Sequence, residues 1–222
     1  MASGCNTLLW IIIILLIIFF IWYFFFRNKQ VSFFNQTTAA PSQNVSVDNF
    51  SHAGPRREFT NLVAEFGNPD VLVNKPYGIA IWKNKGYYDI IKLLDETIQN
   101  NDPEPHCVFL ITVVTAYIPR ESFCKVLDMS DTLQYDRIKG ELSVKTHNMR
   151  TNVATLYTAF RTIADPDNYA EYKSKFDEIV AAAAVNENYD YLQNELGNLI
   201  AENNRTYQNQ LSQNNKNCTI DQ

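Results

Sequence analysis

The chain has 222 residues and a formal net charge of −5, with a pI near 5.2; this balance speaks against nucleic acid as a partner, whose binders are usually basic. Its 4 cysteines, Cys5, Cys107, Cys124 and Cys218, are scattered without a Cys-x-x-Cys pair, which excludes a small disulfide scaffold and a paired zinc knuckle. Hydrophobic residues make up 46%, and many of them are gathered into one run near the start.

Leu8 to Phe26 is an unbroken series of Leu, Ile, Phe, Trp and Tyr without charge, Pro or Gly. As a helix it would span roughly 28 Å, close to the ~30 Å hydrocarbon thickness of a bilayer. Trp10 lies near one end, and Trp22 and Tyr23 near the other, where amphipathic rings favour the headgroup region. A cleaved signal would need a basic start, a shorter apolar stretch and a small-residue cleavage site. Nothing basic precedes Leu8, and Phe24-Phe25-Phe26-Arg27 contains nothing small. The run is therefore expected to be a retained single-pass transmembrane helix, with Leu8, Trp10, Trp22, Tyr23, Phe26, Arg27 and Lys29 as its anchoring residues. Arg27 and Lys29 follow it directly, so the positive-inside rule places the C-terminal part on the cytoplasmic side. Five Asn-x-Ser/Thr triplets, at Asn35, Asn44, Asn49, Asn204 and Asn217, point mildly the other way. In a lumenal or exterior orientation Asn35, Asn44 and Asn49 would be glycosylation acceptors. Cys5, beside the membrane, is as much a candidate for acylation as an inert thiol.

Residues 1–7 form a short N-terminal segment. Residues 27–54 are rich in Asn, Gln, Ser and Thr and read as a flexible linker, with Arg56-Arg57 a solvated pair beyond it. Pro55 then opens a helix. Phe59, Leu62, Val63 and Phe66 fall on one face of it, Gly67 closes it in a left-handed cap, and Pro69 prevents its continuation. Tyr77 to Trp82 and Tyr87 to Leu94 read as strands joined at Gly86. Asp95-Glu96 ends the second of these as a solvated acidic pair, and 99–105 is a loop. Cys107 to Ile118 is the strongest strand, nearly all apolar and central in a sheet, with Cys107 and Cys124 read as buried free thiols and a Cys107–Cys124 bridge as the alternative. Glu121 to Met129 reads as a short helix. Leu133 to His147 is a hairpin turning at Lys139-Gly140.

Helical period returns at Asn152 to Ala164, with Val153, Leu156, Tyr157, Phe160 and Ile163 on one face. Asp165-Pro166 caps the next helix, which buries Tyr169, Tyr172, Phe176, Ile179 and Val180. In the last helix Tyr189, Leu192, Leu196 and Leu199 make a short heptad-like seam. From 203 to 222 Asn and Gln dominate, and the tail is expected to be disordered unless a partner orders it. The fold class is α+β: a transmembrane helix (8–26), the linker, an α+β domain over 55–164 with a small, mostly antiparallel sheet and flanking helices, a helical extension over 165–202, and the tail.

Catalytic patterns are missing from the sequence. It has no glycine-rich phosphate loop, nucleophile elbow or His-Glu-x-x-His. His52, His106 and His147 are its only histidines, and their spacing from Cys107 and Cys124 lacks a short ligand pair. The expectation is a protein that is not an enzyme, with no catalytic or metal residues, no cofactor and no small-molecule substrate.

Several separated blocks carry a resemblance. Phe66-Gly67-Asn68-Pro69-Asp70-Val71, then Gly78-Ile79-Ala80-Ile81-Trp82-Lys83, Pro105-His106 leading into Val108-Phe109-Leu110, and Tyr135-Asp136 through to Asn152-Val153-Ala154-Thr155-Leu156 are similar to membrane-anchored virion or minor capsid proteins of large icosahedral DNA viruses, phycodnavirus-like. It covers roughly residues 59 to 164. The resemblance implies a virion protein without catalytic residues, set in a bilayer beneath a capsid. Lipid and capsid proteins are then the expected partners, with Leu192, Leu196, Leu199 and the tail as contact surfaces. The alternative is a glycosylated, receptor-like binding protein facing the exterior.

Overall fold

The computed structural model describes residues 46–95 and 108–217. Among them, alternating sequence produces strands β1 (Val71–Val73), β2 (Ile79–Lys85), β3 (Tyr88–Leu94), β4 (Leu110–Thr115), β5 (Leu133–Asp136) and β6 (Glu141–Thr146). They form one antiparallel sheet in the order β1-β2-β3-β4-β6-β5. The helices are α1 (Ala53–Phe66), α2 (Phe123–Leu127), α3 (Met149–Ala164), α4 (Tyr169–Ala184) and α5 (Tyr189–Asn217). The α+β class with an antiparallel sheet and flanking helices therefore stands.

One face of the sheet carries the core. Ala80 pairs Leu93, Trp82 pairs Ile91, Leu93 pairs Leu110, and Val114 pairs Leu142, and all of these side chains are buried. The described helices gather on that face. Phe59 of α1 meets Trp82, their ring centroids 5.9 Å apart, and Phe123 of α2 meets Tyr135. Helix α3 lies at the centre and is buried nearly all round, because the sheet covers one side of it while α4 and α5 cover the others. Two of its buried threonines are satisfied within the helix: Thr158 donates to the Ala154 carbonyl and Thr162 to that of Thr158. Asn152 ties the helix to the sheet. Its amide donates to Thr112 Oγ1 at 2.7 Å, and its oxygen accepts from Thr146 Oγ1 at 2.6 Å. Buried polar groups persist when fully paired in this way.

The hairpin expected at Lys139-Gly140 is present, with Gly140 at φ 69°. Gly67 ends α1 at φ 75° and ψ −165°, a region that only glycine enters without strain. Strand β1 is an addition, three residues too short to show a period. The central strand is shorter than its apolar run. Beyond Thr115, Ala116 N–H bonds the Gly140 carbonyl, and the Asn203 side chain bonds both N–H and C=O of Tyr117. A side chain of α5 thus takes the place of a neighbouring strand.

Six expectations are corrected. The expected linker, 27–54, ends in folded structure from Ser46 on: Phe50 is fully buried against Phe59, and α1 begins at Ala53. Asp95, read as solvated, holds that segment to the sheet by accepting from the N–H groups of Ser51 and His52 and from His52 Nδ1. Gly78 leaves room for this contact, since a Cβ there would come within 2.4 Å of the Asp95 Cβ. The tail is helical as far as Asn217 rather than unstructured after residue 202, anchored by Asn203 and by Tyr207 stacked on Tyr117 at 5.1 Å. The C-terminal helices are part of the same compact unit, not an extension. Finally, Cys124 is exposed, and the apolar face of α4 is only half-buried, because α4 packs on α3 and α5 and not on the sheet.

The anchoring residues Leu8, Trp10, Trp22, Tyr23, Phe26, Arg27 and Lys29 lie outside the described residues, with Asn35, Asn44, Glu96, His106 and Cys107. Among the described residues no helix is long and apolar enough to cross a membrane.

The Asp95 clasp has a pH signature. Burial pushes its carboxyl up, and the hydrogen bonds from Ser51 and His52 more than offset this, leaving it below the ordinary carboxylate range. A depressed folded-state value contributes stability above the unfolded value of about 3.9 and loses it as pH falls through the lower folded value. Asp95→Asn is expected to cost about 1–2 kcal/mol at pH 7. Urea midpoints of the two chains should converge as the pH is lowered below about 4. A gap that persists at acid pH would show that geometry and not charge is responsible.

Candidate functional site

A polar cleft of about 680 Å³ opens between α1, the N-terminus of α3 and the α4–α5 turn. Arg57, Asn61, Ala64 and Glu65 line one wall, recurring at i, i+4, i+7 and i+8 along one stripe of α1. Asn148, Met149 and Arg150 come from the start of α3, and Ala184 and Tyr189 from the opposite wall.

Glu58 sits at the floor, 4% exposed. Its Oε1 accepts the Met149 N–H at 2.7 Å and its Oε2 accepts from the Asn61 amide at 3.1 Å. This carboxylate occupies the positive end of the α3 dipole, where the first turn leaves N–H groups without helical partners. Asn148 serves the same end, its side chain accepting the Thr151 N–H at 2.8 Å. Glu65 accepts from Tyr189 Oη at 3.2 Å and from the Gln193 amide at 2.7 Å. Burial raises its carboxyl above the ordinary value. Burial, with Glu65 beside it, also pushes the Tyr189 hydroxyl well up.

The guanidinium groups are the freer members. Arg150 donates to the Ala184 carbonyl at 3.4 Å and lies 5.9 Å from the centre of the Tyr189 ring. Arg57 is exposed on the rim. Both carboxylates are engaged as fasteners, so the cleft presents guanidinium and amide donors outward. That arrangement suits polar contact with a carboxylate-bearing surface. Among the described residues no group of three His, Cys, Asp or Glu side chains is placed to hold a metal ion.

The contact residues expected from sequence are placed elsewhere. Leu192 is 2% and Leu196 0% exposed, packed in the core with Tyr189 and Ile200. Presenting them to a partner would require α5 to undock from the core. Leu199 is half-buried and lines a separate cavity of about 290 Å³ with Phe160 and Ile163. Of the three acceptors, Asn49 alone lies among the described residues: it is half-buried, with its Nδ2 enclosed next to the buried Phe50. The cleft residues escaped sequence reasoning because a polar helical stripe facing a cleft has the same pattern as one facing water. The one local signal is Glu58 beside the core residue Phe59.

No protein-family model, curated protein or solved structure matches this chain.

Proposed function

We propose that this protein is a membrane-anchored structural tether and, in the setting its resemblance implies, a minor capsid protein linking an internal viral bilayer to the capsid shell. The observation that carries the reading is the uncharged run Leu8 to Phe26, followed at once by Arg27 and Lys29. The fold sharpens how such a tether would work. Residues 27–45, between the apolar run and the first described residue, would reach roughly 65 Å if fully extended. The head therefore stays near the bilayer that holds it. Partner contact moves from the buried Leu192 and Leu196 to the helical side, where Arg57 and Arg150 edge the cleft. Capsid proteins with acidic loops fit that surface. The reading assigns the head no chemistry.

The enclosed Asn49 amide makes this position a poorly accessible one of the three acceptors that the exterior-facing alternative needs. Asn35 and Asn44 decide the rest. The protein expressed in eukaryotic cells is expected to stay with membranes through alkaline carbonate extraction and to show no glycosidase mobility shift. In purified particles it should crosslink to a capsid component. Release into the carbonate supernatant would remove the anchor, a glycosidase shift would reverse the orientation, and loss with detergent without any capsid crosslink would end the tether reading.

A further inference from the structure

The sheet face opposite the helices has an unusual composition. Register places Val71, Ile81, Lys92, Ile111 and Lys145 side by side across β1, β2, β3, β4 and β6. The neighbouring row reads Lys83, Ile90, Val113, Ser143. An open antiparallel face ordinarily alternates polar side chains outward. Here β-branched aliphatics alternate with lysine, and Val71 and Val73 are 36% and 38% exposed at the edge. The two rows hold three lysines and no acid, in a chain of net charge −5. The acids that register places on this face lie at its far end and are engaged: Asp136 and Glu141 each lie 3.7 Å from Lys139.

We propose that this face docks on an anionic bilayer surface, the headgroups of the membrane that holds the anchor. Three features favour lipid over a second copy of the chain. Two copies meeting face to face would oppose lysine to lysine, whereas phosphate and carboxylate headgroups supply the missing charge. Short aliphatics between lysine stems suit shallow burial at the headgroup boundary, with the ammonium groups reaching outward. Proximity comes from the connection of residues 27–45, a point that rests on the anchor reading above. Three lysines near an anionic leaflet favour docking on the order of 100-fold, ample for a head already confined to the membrane. The docked head would turn its helices, and the cleft with Arg57 and Arg150, away from the lipid.

The test is amine-reactive footprinting of the full chain, read by mass spectrometry, in phosphatidylcholine vesicles with and without about a third phosphatidylserine. Lys83, Lys92 and Lys145 are expected to label about fivefold more slowly in the anionic vesicles and to recover at roughly 0.5 M salt. Lys173 and Lys175, exposed on α4, should not change. Equal labelling of the three in both vesicles overturns the proposal. Protection that grows with protein concentration in neutral vesicles overturns it in favour of a second copy, and protection in every condition does so in favour of the chain's own residues. Flotation separates the two readings. A chain that floats with anionic but not neutral vesicles loses the anchor and keeps the docking face, one that floats with both but labels alike keeps only the anchor, and one that floats with neither loses both.

Discussion

Trp82→Ala is expected to destabilise the folded head by about 4 kcal/mol, the upper range for emptying a large aromatic site. Trp82 is fully buried on β2, faces the ring of Phe59, and donates from Nε1 to the Gly67 carbonyl at 2.8 Å. It thus joins the sheet to the point where α1 ends. Removing it forfeits the apolar transfer, leaves a cavity that β2 and α1 cannot both close, and frees the end of the helix. Trp82→Phe separates these effects. It retains most of the packing and drops the hydrogen bond, so about 1–2 kcal/mol should be lost. Urea unfolding followed by circular dichroism measures both. Against a typical stability of roughly 5–15 kcal/mol, the alanine variant should lie close to its unfolding threshold. A loss below about 1.5 kcal/mol for Trp82→Ala would mean that the site collapses around the missing ring.

Local chemistry made much of this fold readable. Pro55, the Phe59/Leu62/Phe66 period and Gly67 delimit α1 within two residues, because first-turn proline and a glycine stop act through the backbone itself. The β2–β3 and β5–β6 hairpins were legible for the same reason, each with a positive-φ glycine at its turn. What escaped depends on distant partners. Phe50 is a lone aromatic among polar residues, and only the arrival of Phe59 and the Asp95 clasp makes it core. Asn203 sits in an Asn/Gln-rich stretch that composition assigns to disorder, yet it closes the end of β4 from 86 positions away. The seam of α5 shows the limit most clearly. Spacing identified Leu192 and Leu196 as one apolar face, correctly, but a heptad pattern does not say whether its partner is another chain or the same one. The cleft was the least legible feature. Its walls come from 57–65, 148–150 and 184–189, and no segment alone differs from an ordinary solvated helix.

Glu58→Ala is expected to cost about 3 kcal/mol, the next largest effect. The deletion strands the Met149 N–H at the start of α3, on a residue only 3% exposed, and a buried donor without a partner bears its full desolvation cost. It also removes a negative charge from a helix N-terminus. Glu58→Gln keeps an acceptor oxygen and loses the charge, so about 1 kcal/mol is expected. Asn148→Ala removes the neighbouring cap and should also cost about 1 kcal/mol. Because both groups serve the first turn of α3, the double variant Glu58→Ala with Asn148→Ala should depart from additivity by roughly 0.5–1 kcal/mol. Additive losses would mean that the two caps act independently. This coupling bears on function as well as stability, since Arg150 lies in the same first turn. If Glu58 fixes that turn, Glu58→Ala should displace a guanidinium at the rim of the cleft and, on the tether reading proposed above, weaken crosslinking to a capsid partner, whereas Glu58→Gln, which keeps the acceptor for the Met149 N–H, should leave both nearly unchanged.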